Sequence, residues 1–95
     1  MYFNDKESPQ LGVANMSEST FQRKLIKRYE DQGWHVIKII QANRAGYPDL
    51  LCLRPNEVLF VEVKASKGKL SMVQQYRHDE LRRQGFTVEI AVEPI

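Results

Sequence analysis

The segment Glu57–Lys64, EVLFVEVK, has no polar residue between Glu57 and Glu62. A short, β-branched apolar run of this kind, continuous rather than alternating, marks a strand covered on both faces at the centre of an α/β sheet. Strand side chains alternate with period two, so Phe60, Glu62 and Lys64 share one face. A carboxylate and an ammonium therefore sit at the end of a strand that is otherwise fit for burial. Burying either without a partner costs several kcal/mol. Either the two satisfy each other as a strand-end ion pair, worth only ~0–1 kcal/mol if exposed, or they work for a site.

The rest of the chain arranges itself around this strand. Ser17 is placed as a helix N-cap, Glu18 as an acid near the positive end of the helix dipole, and Phe21, Leu25, Ile26 and Tyr29 as a helical apolar stripe. Gly33 supplies the stop, so a helix is predicted over 18–32. Residues 34–40 (WHVIKII) read as a strand, 41–48 as a loop, and 49–53 (DLLCL) as a second strand. The turn Arg54-Pro55-Asn56 joins that strand to the central one as a hairpin. After a polar loop over 65–69, Ser71 and Gln74 form a capping box that opens a second helix, ended by Gly85. Phe86, Val88, Ile90 and Val92 alternate as a last strand. The order is αβββαβ, an α/β class domain with a central mixed sheet flanked by helices.

With 95 residues, 42% hydrophobic and 27% charged, the chain has room for one small domain. That domain is expected over 17–95, preceded by an irregular arm, 1–16, with no helical or strand period. No run approaches the ~20 apolar residues of a membrane span, and no basic-then-apolar leader opens the chain. Cys52 is the only cysteine, which excludes an intrachain disulfide and a cysteine zinc cluster. The expectation is a reducing, cytoplasmic location without membrane contact. The net charge of +2 names no partner, but its distribution is uneven: −2 over residues 1–20 and +4 over the remainder.

Asp49 changes the meaning of Glu62. It follows Tyr47-Pro48, where proline fixes how the chain enters the sheet. An Asp at such an entry can simply satisfy turn amides. Counted outward from the hairpin turn, however, Asp49 falls across from the region of Glu62. Two facing carboxylates repel unless a proton or cation intervenes. Glu18 is a third acid, near the middle of the first helix's apolar stripe by helical-wheel position. There it is either part of the same site or a dipole partner that bends back to water. Carboxylate oxygens without Cys or His suit Mg²⁺ or Mn²⁺, which keep waters and bind substrate phosphates. Such a cation polarises a phosphoryl oxygen and activates water, and Lys64 would orient that water or offset charge on the phosphate. Phosphodiester hydrolysis uses all of these groups.

Gly46-Tyr47-Pro48-Asp49, followed after twelve residues by Glu62-Val63-Lys64, resembles the PD-(D/E)XK nuclease signature. Within that superfamily the chain resembles the VRR-NUC (virus-type replication-repair nuclease) domain, specifically its stand-alone viral or phage-type members. Ala45 to Leu51 and Glu62-Val63-Lys64 match the two central motifs, and Ser71-Met72-Val73-Gln74 is similar to the start of the following helix. The resemblance spans about Glu18 to Val92. It implies a restriction-endonuclease-like fold, Asp49 and Glu62 as metal ligands, Lys64 as the catalytic lysine, and the Val63 backbone carbonyl as a further ligand. It matches Glu18 to the acidic position of the first helix, a further metal candidate, and Gln74 to the glutamine of the second. As a capping-box residue Gln74 also has a purely structural role open to it.

The function this implies is a metal-dependent, structure-selective DNA endonuclease acting on branched DNA, in its sharpest form a four-way (Holliday) junction. Symmetric junction resolution needs two cuts, so a homodimer follows from one active site per chain. If the chain is viral, its location is the host cytoplasm or nucleoid. A nicking or restriction-like nuclease and a non-catalytic DNA-binding module are the alternatives. Lys67, Lys69, Arg44 and Arg77 flank the site in sequence and are candidate phosphate contacts. His35 reads as a strand-edge residue and His78 as a solvated helix residue, without metal-pair spacing.

Overall fold

The central position expected for the EVLFVEVK strand is where the chain puts it. In a computed structural model, which describes residues 17–93, a four-stranded sheet runs in the order β1-β2-β3-β4. The strands are β1 (His35–Lys38), β2 (Leu50–Arg54), β3 (Glu57–Lys64) and β4 (Thr87–Val92), with α1 (Glu18–Asp31) before them and α2 (Met72–Arg83) between β3 and β4. β1 and β2, and β2 and β3, pair antiparallel, whereas β3 and β4 pair parallel, so the sheet is mixed. The parallel pairing requires the crossover that α2 supplies. The arm expected over 1–16 lies outside the described residues.

The two helices cover opposite faces. Phe21 and Leu25 of α1 close a core with Leu50, Cys52, Leu59, Val61 and Val63, one face of β2 and β3. On the other face α2 sets His78 and Leu81 inward, and Arg82 Nη2 donates to the Val88 carbonyl of β4 at 3.0 Å. That second face is incompletely covered: Ile37, Val58, Ile90 and Val92 remain 37–49% exposed.

The β2–β3 hairpin turns through Pro55 and Asn56, with Arg54 paired to Glu57. Asn56 has φ +62°, the left-handed conformation that follows proline in a type II turn and that asparagine tolerates. Ser17 caps α1, its hydroxyl accepting from the Thr20 amide. β1 is shorter than the apolar segment 34–40. Trp34 is held before the strand by donating its amide to the Tyr29 carbonyl, and its ring lies 4.0 Å from the Arg54 guanidinium carbon. Past Lys38 the pairing continues only as an Ile39 amide bond to the Asp49 carbonyl, 2.8 Å. Among the described residues no helix is long and apolar enough to cross a membrane.

Candidate active site

The register Leu50↔Val61, extended one residue, puts Asp49 opposite Glu62. Pro48 is fully buried and delivers Asp49 to the end of β2. One oxygen of Asp49, Oδ2, accepts from the Val63 amide at 2.7 Å. This fixes the carboxylate against β3 and leaves Oδ1 outside that bond. Glu62 is only 2% exposed. Burial, then the hydrogen bond and charge of Asp49, push its carboxyl up to about 8, against the opposing pull of Lys64. A glutamic acid that holds its proton near neutrality because it is buried, with another carboxyl facing it, ionises more readily when positive charge is brought to the pair.

Positive charge is supplied in part by Lys64. Its Nζ lies 3.9 Å from Glu62 Oε2, too far for a good hydrogen bond, and instead donates to Gln74 Oε1 at 3.1 Å. The strand-end ion pair is therefore the weaker of the ammonium's contacts. Gln74 acts in two roles at once. It completes the capping box of α2, its Oε1 accepting from the Ser71 amide at 2.9 Å while its own amide donates to Ser71 Oγ at 3.1 Å. The same side chain reaches Lys64 with Oε1 and Glu62 Oε2 with Nε2, the latter at 3.4 Å. The capping reading of Gln74 is realised, and the same side chain also reaches the Glu62–Lys64 pair because the first turn of α2 lies over the end of β3.

His78 departs from the sequence expectation. It is fully buried, not solvated, and its Nε2 lies 3.0 Å from Glu62 Oε1. The signal was present in the helical spacing: His78 stands four residues after Gln74 and so shares its face. Burial, followed by the charge of Arg82, lowers its pKa and favours the neutral ring.

Glu18 is exposed in the first turn of α1, which agrees with the dipole-partner reading and not with a core-facing one. Its charge nonetheless contributes to raising Glu62.

The expected phosphate contacts divide into two groups. Arg44, Lys67 and Lys69 are exposed. Arg77 is largely committed within the protein, its Nε donating to the Ala45 carbonyl at 3.0 Å and its Nη1 to Glu80 at 2.7 Å. Its guanidinium lies 5.4 Å from the rings of both Tyr47 and Tyr76. Arg77 thus ties α2 to the loop that delivers Asp49.

No metal-ready cluster of three or more His, Cys, Asp or Glu side chains occurs among the described residues. The donor set on hand is the Asp49–Glu62 pair. It fits a hard divalent cation that binds through one or two carboxylates and completes its shell with water and phosphate oxygens. It does not fit zinc, whose closed sites use Cys and His.

The sequence and the fold are similar to those of known proteins. The sequence profile of the VRR-NUC domain matches residues 3–92, starting inside the segment read as an arm. A solved structure titled VRR_NUC domain is similar over 80% of this chain and 84% of its own, at 29% identity and a TM-score of 0.71. Comparison with curated proteins finds no match. The fold is thus of nuclease type. The chain belongs to the VRR-NUC domain family.

Proposed function

We propose that this protein is a metal-dependent, structure-selective DNA endonuclease that hydrolyses phosphodiester bonds in branched DNA and works on four-way junctions as a homodimer. The observation that carries the reading is the facing of Asp49 and the buried Glu62 beside a lysine steered by Gln74. A surface built only to bind DNA gains nothing from buried acids, since they repel phosphate.

Asp49 and Glu62 would hold Mg²⁺ or Mn²⁺, with the Val63 carbonyl as a further donor, and Glu18 would add only its negative charge. When bound, the cation polarises the phosphoryl oxygen and lowers the pKa of the attacking water. Lys64 presents an ammonium that opposes the charge developing on the phosphate oxygens, and Gln74 holds that ammonium away from Glu62. Exposed Arg44, Lys67 and Lys69 serve the flanking phosphates. The partly uncovered sheet face, with Ile37, Val58, Ile90 and Val92, offers apolar surface for self-association.

The test is cleavage of matched duplex, nicked, flap and four-way substrates with Mg²⁺ or Mn²⁺ and with chelator, beside light scattering with and without DNA. Four-way cleavage by a dimer supports the full reading. Preference for nicked or intact duplex favours the restriction-like alternative, and a monomer in both states removes the symmetric-resolution element. Lys64→Ala should lower cleavage by roughly 10²–10⁴-fold while metal-dependent DNA binding persists. Binding without cleavage by the wild type would leave only a DNA-binding module.

A further inference from the structure

His78 spans from α2 to a carboxylate already held on its other side. Glu62 Oε1 lies 3.0 Å from His78 Nε2, whereas Oε2 faces Gln74 at 3.4 Å and Lys64 at 3.9 Å. The two oxygens thus have different neighbours, and the two α2 side chains that differentiate them are one helical turn apart.

The identity of residue 78 is chemically demanding. Its Nδ1 is buried with no hydrogen-bond partner among the described residues, an arrangement that costs stability relative to a satisfied atom. A leucine or phenylalanine would carry no such orphan. The imidazole at this position is accounted for by its other nitrogen, which reaches Glu62. A carboxylate that ligates a cation is ionised and can only accept, so in that state Nε2 carries the proton and Nδ1 the bare lone pair.

We propose that His78 is a positioning residue for cation binding: its Nε2–H engages Oε1 of Glu62, so that Oε2, on the Lys64 side, is the oxygen presented to the metal. The inference rests on Asp49 and Glu62 being the metal ligands. Hydrogen bonds of this kind fix the orientation of a ligating carboxylate, and their loss typically weakens metal affinity by about 10–100-fold. The role is separate from that of Gln74, which also serves the cap and Lys64.

Two small polar substitutions separate positioning from packing. The amide nitrogen of His78→Gln falls near the place of Nε2, whereas that of His78→Asn falls nearer the backbone and cannot reach Glu62. Mn²⁺ is titrated by calorimetry into metal-free wild type, both variants and Asp49→Ala, with melting temperatures measured alongside. The expected result is a weakening of Mn²⁺ binding by about 10–100-fold in His78→Asn and near-wild-type affinity in His78→Gln, with similar melting temperatures for the two. Equal affinities in the two variants, whether both weakened or both intact, overturn the positioning role. If Asp49→Ala binds Mn²⁺ as tightly as wild type, the metal-ligand reading itself fails. If Asp49→Ala loses binding while His78→Asn keeps it, only the assignment of His78 fails.

Discussion

Gly46 lies so close to Val73 that a Cβ on it would fall 2.5 Å from the Val73 carbonyl oxygen, and Gly46 itself has φ +92°. Both the contact and the backbone conformation exclude a side chain there. The loop delivering Asp49 is thereby packed directly against the first turn of α2, which carries Gln74. Gly46→Ala should destabilise the fold by about 2–4 kcal/mol, combining backbone strain with overpacking. Thermal melting should show a fall of ~10 °C or more. Because the displaced elements carry Asp49 and Gln74, cation affinity should fall too, measurable below the new melting temperature.

The double use of Gln74 can be taken apart by substitution. Ser71→Ala removes only the hydroxyl that accepts from the Gln74 amide, so it should cost ~1 kcal/mol of stability and little activity. Gln74→Ala removes the reciprocal half of the box and also releases Lys64 and Glu62. Its stability loss should be comparable, but cleavage should drop by roughly 10²-fold through misplacement of the ammonium. Equal activity losses in the two variants would show that Gln74 matters only as a cap.

In the metal-free protein, Glu62 should make stability fall with rising pH. Its carboxyl, at about 8 when folded, ordinarily titrates near 4.5. The folded state therefore binds the proton more tightly, and the stabilisation is full below 4.5 and lost as pH rises through about 8. Melting temperatures of chelator-treated protein should decline across that window, and Glu62→Gln should flatten the decline. Saturating Mg²⁺ or Mn²⁺, which binds the ionised pair, should oppose it.

Lys67 and Lys69 are exposed beside a glycine that brings their loop onto the stem of Lys64, where a Cβ on Gly68 would lie 3.3 Å from Lys64 Cδ. If both contact backbone phosphates, replacing both with Ala should weaken binding to every DNA form alike. The slope of log K against log salt should then become shallower by roughly 2, since each contact contributes about 0.9. Fluorescence anisotropy over a salt series measures this. An unchanged slope would place the DNA elsewhere.

Much of this fold was legible because its signals are local and redundant. The run from Val58 to Val61 required a central strand, although Val58 itself stays exposed on the face that α2 leaves partly open, Pro55-Asn56 a hairpin, and Ser71 with Gln74 a helix start. Asp49 opposite Glu62 followed from hairpin counting alone. His78 escaped because composition gives a lone histidine on a polar helix no direction. Only its spacing from Gln74, joined to knowledge of which face covers β3, turns it inward. For Glu18 two readings stay open in the sequence, because a helical wheel assigns a face but cannot say whether that face still overlies the sheet at the helix end. Arg77 was readable as a cation near the site, but not as the residue that ties α2 to the loop before Asp49, because Ala45 becomes its neighbour only on folding.

Every side chain placed at the centre of the site, Asp49, Glu62, Lys64, Gln74 and His78, belongs to one uninterrupted stretch running from the entry of β2 through α2. α1, β1 and β4 enclose that stretch without supplying any of these groups. The chemistry is therefore portable within the chain: the flanking elements are free to diverge in length, surface and partner so long as they keep the β2–β3–α2 unit covered. In such an architecture, choice of DNA shape can change over evolutionary time while the hydrolytic apparatus stays fixed.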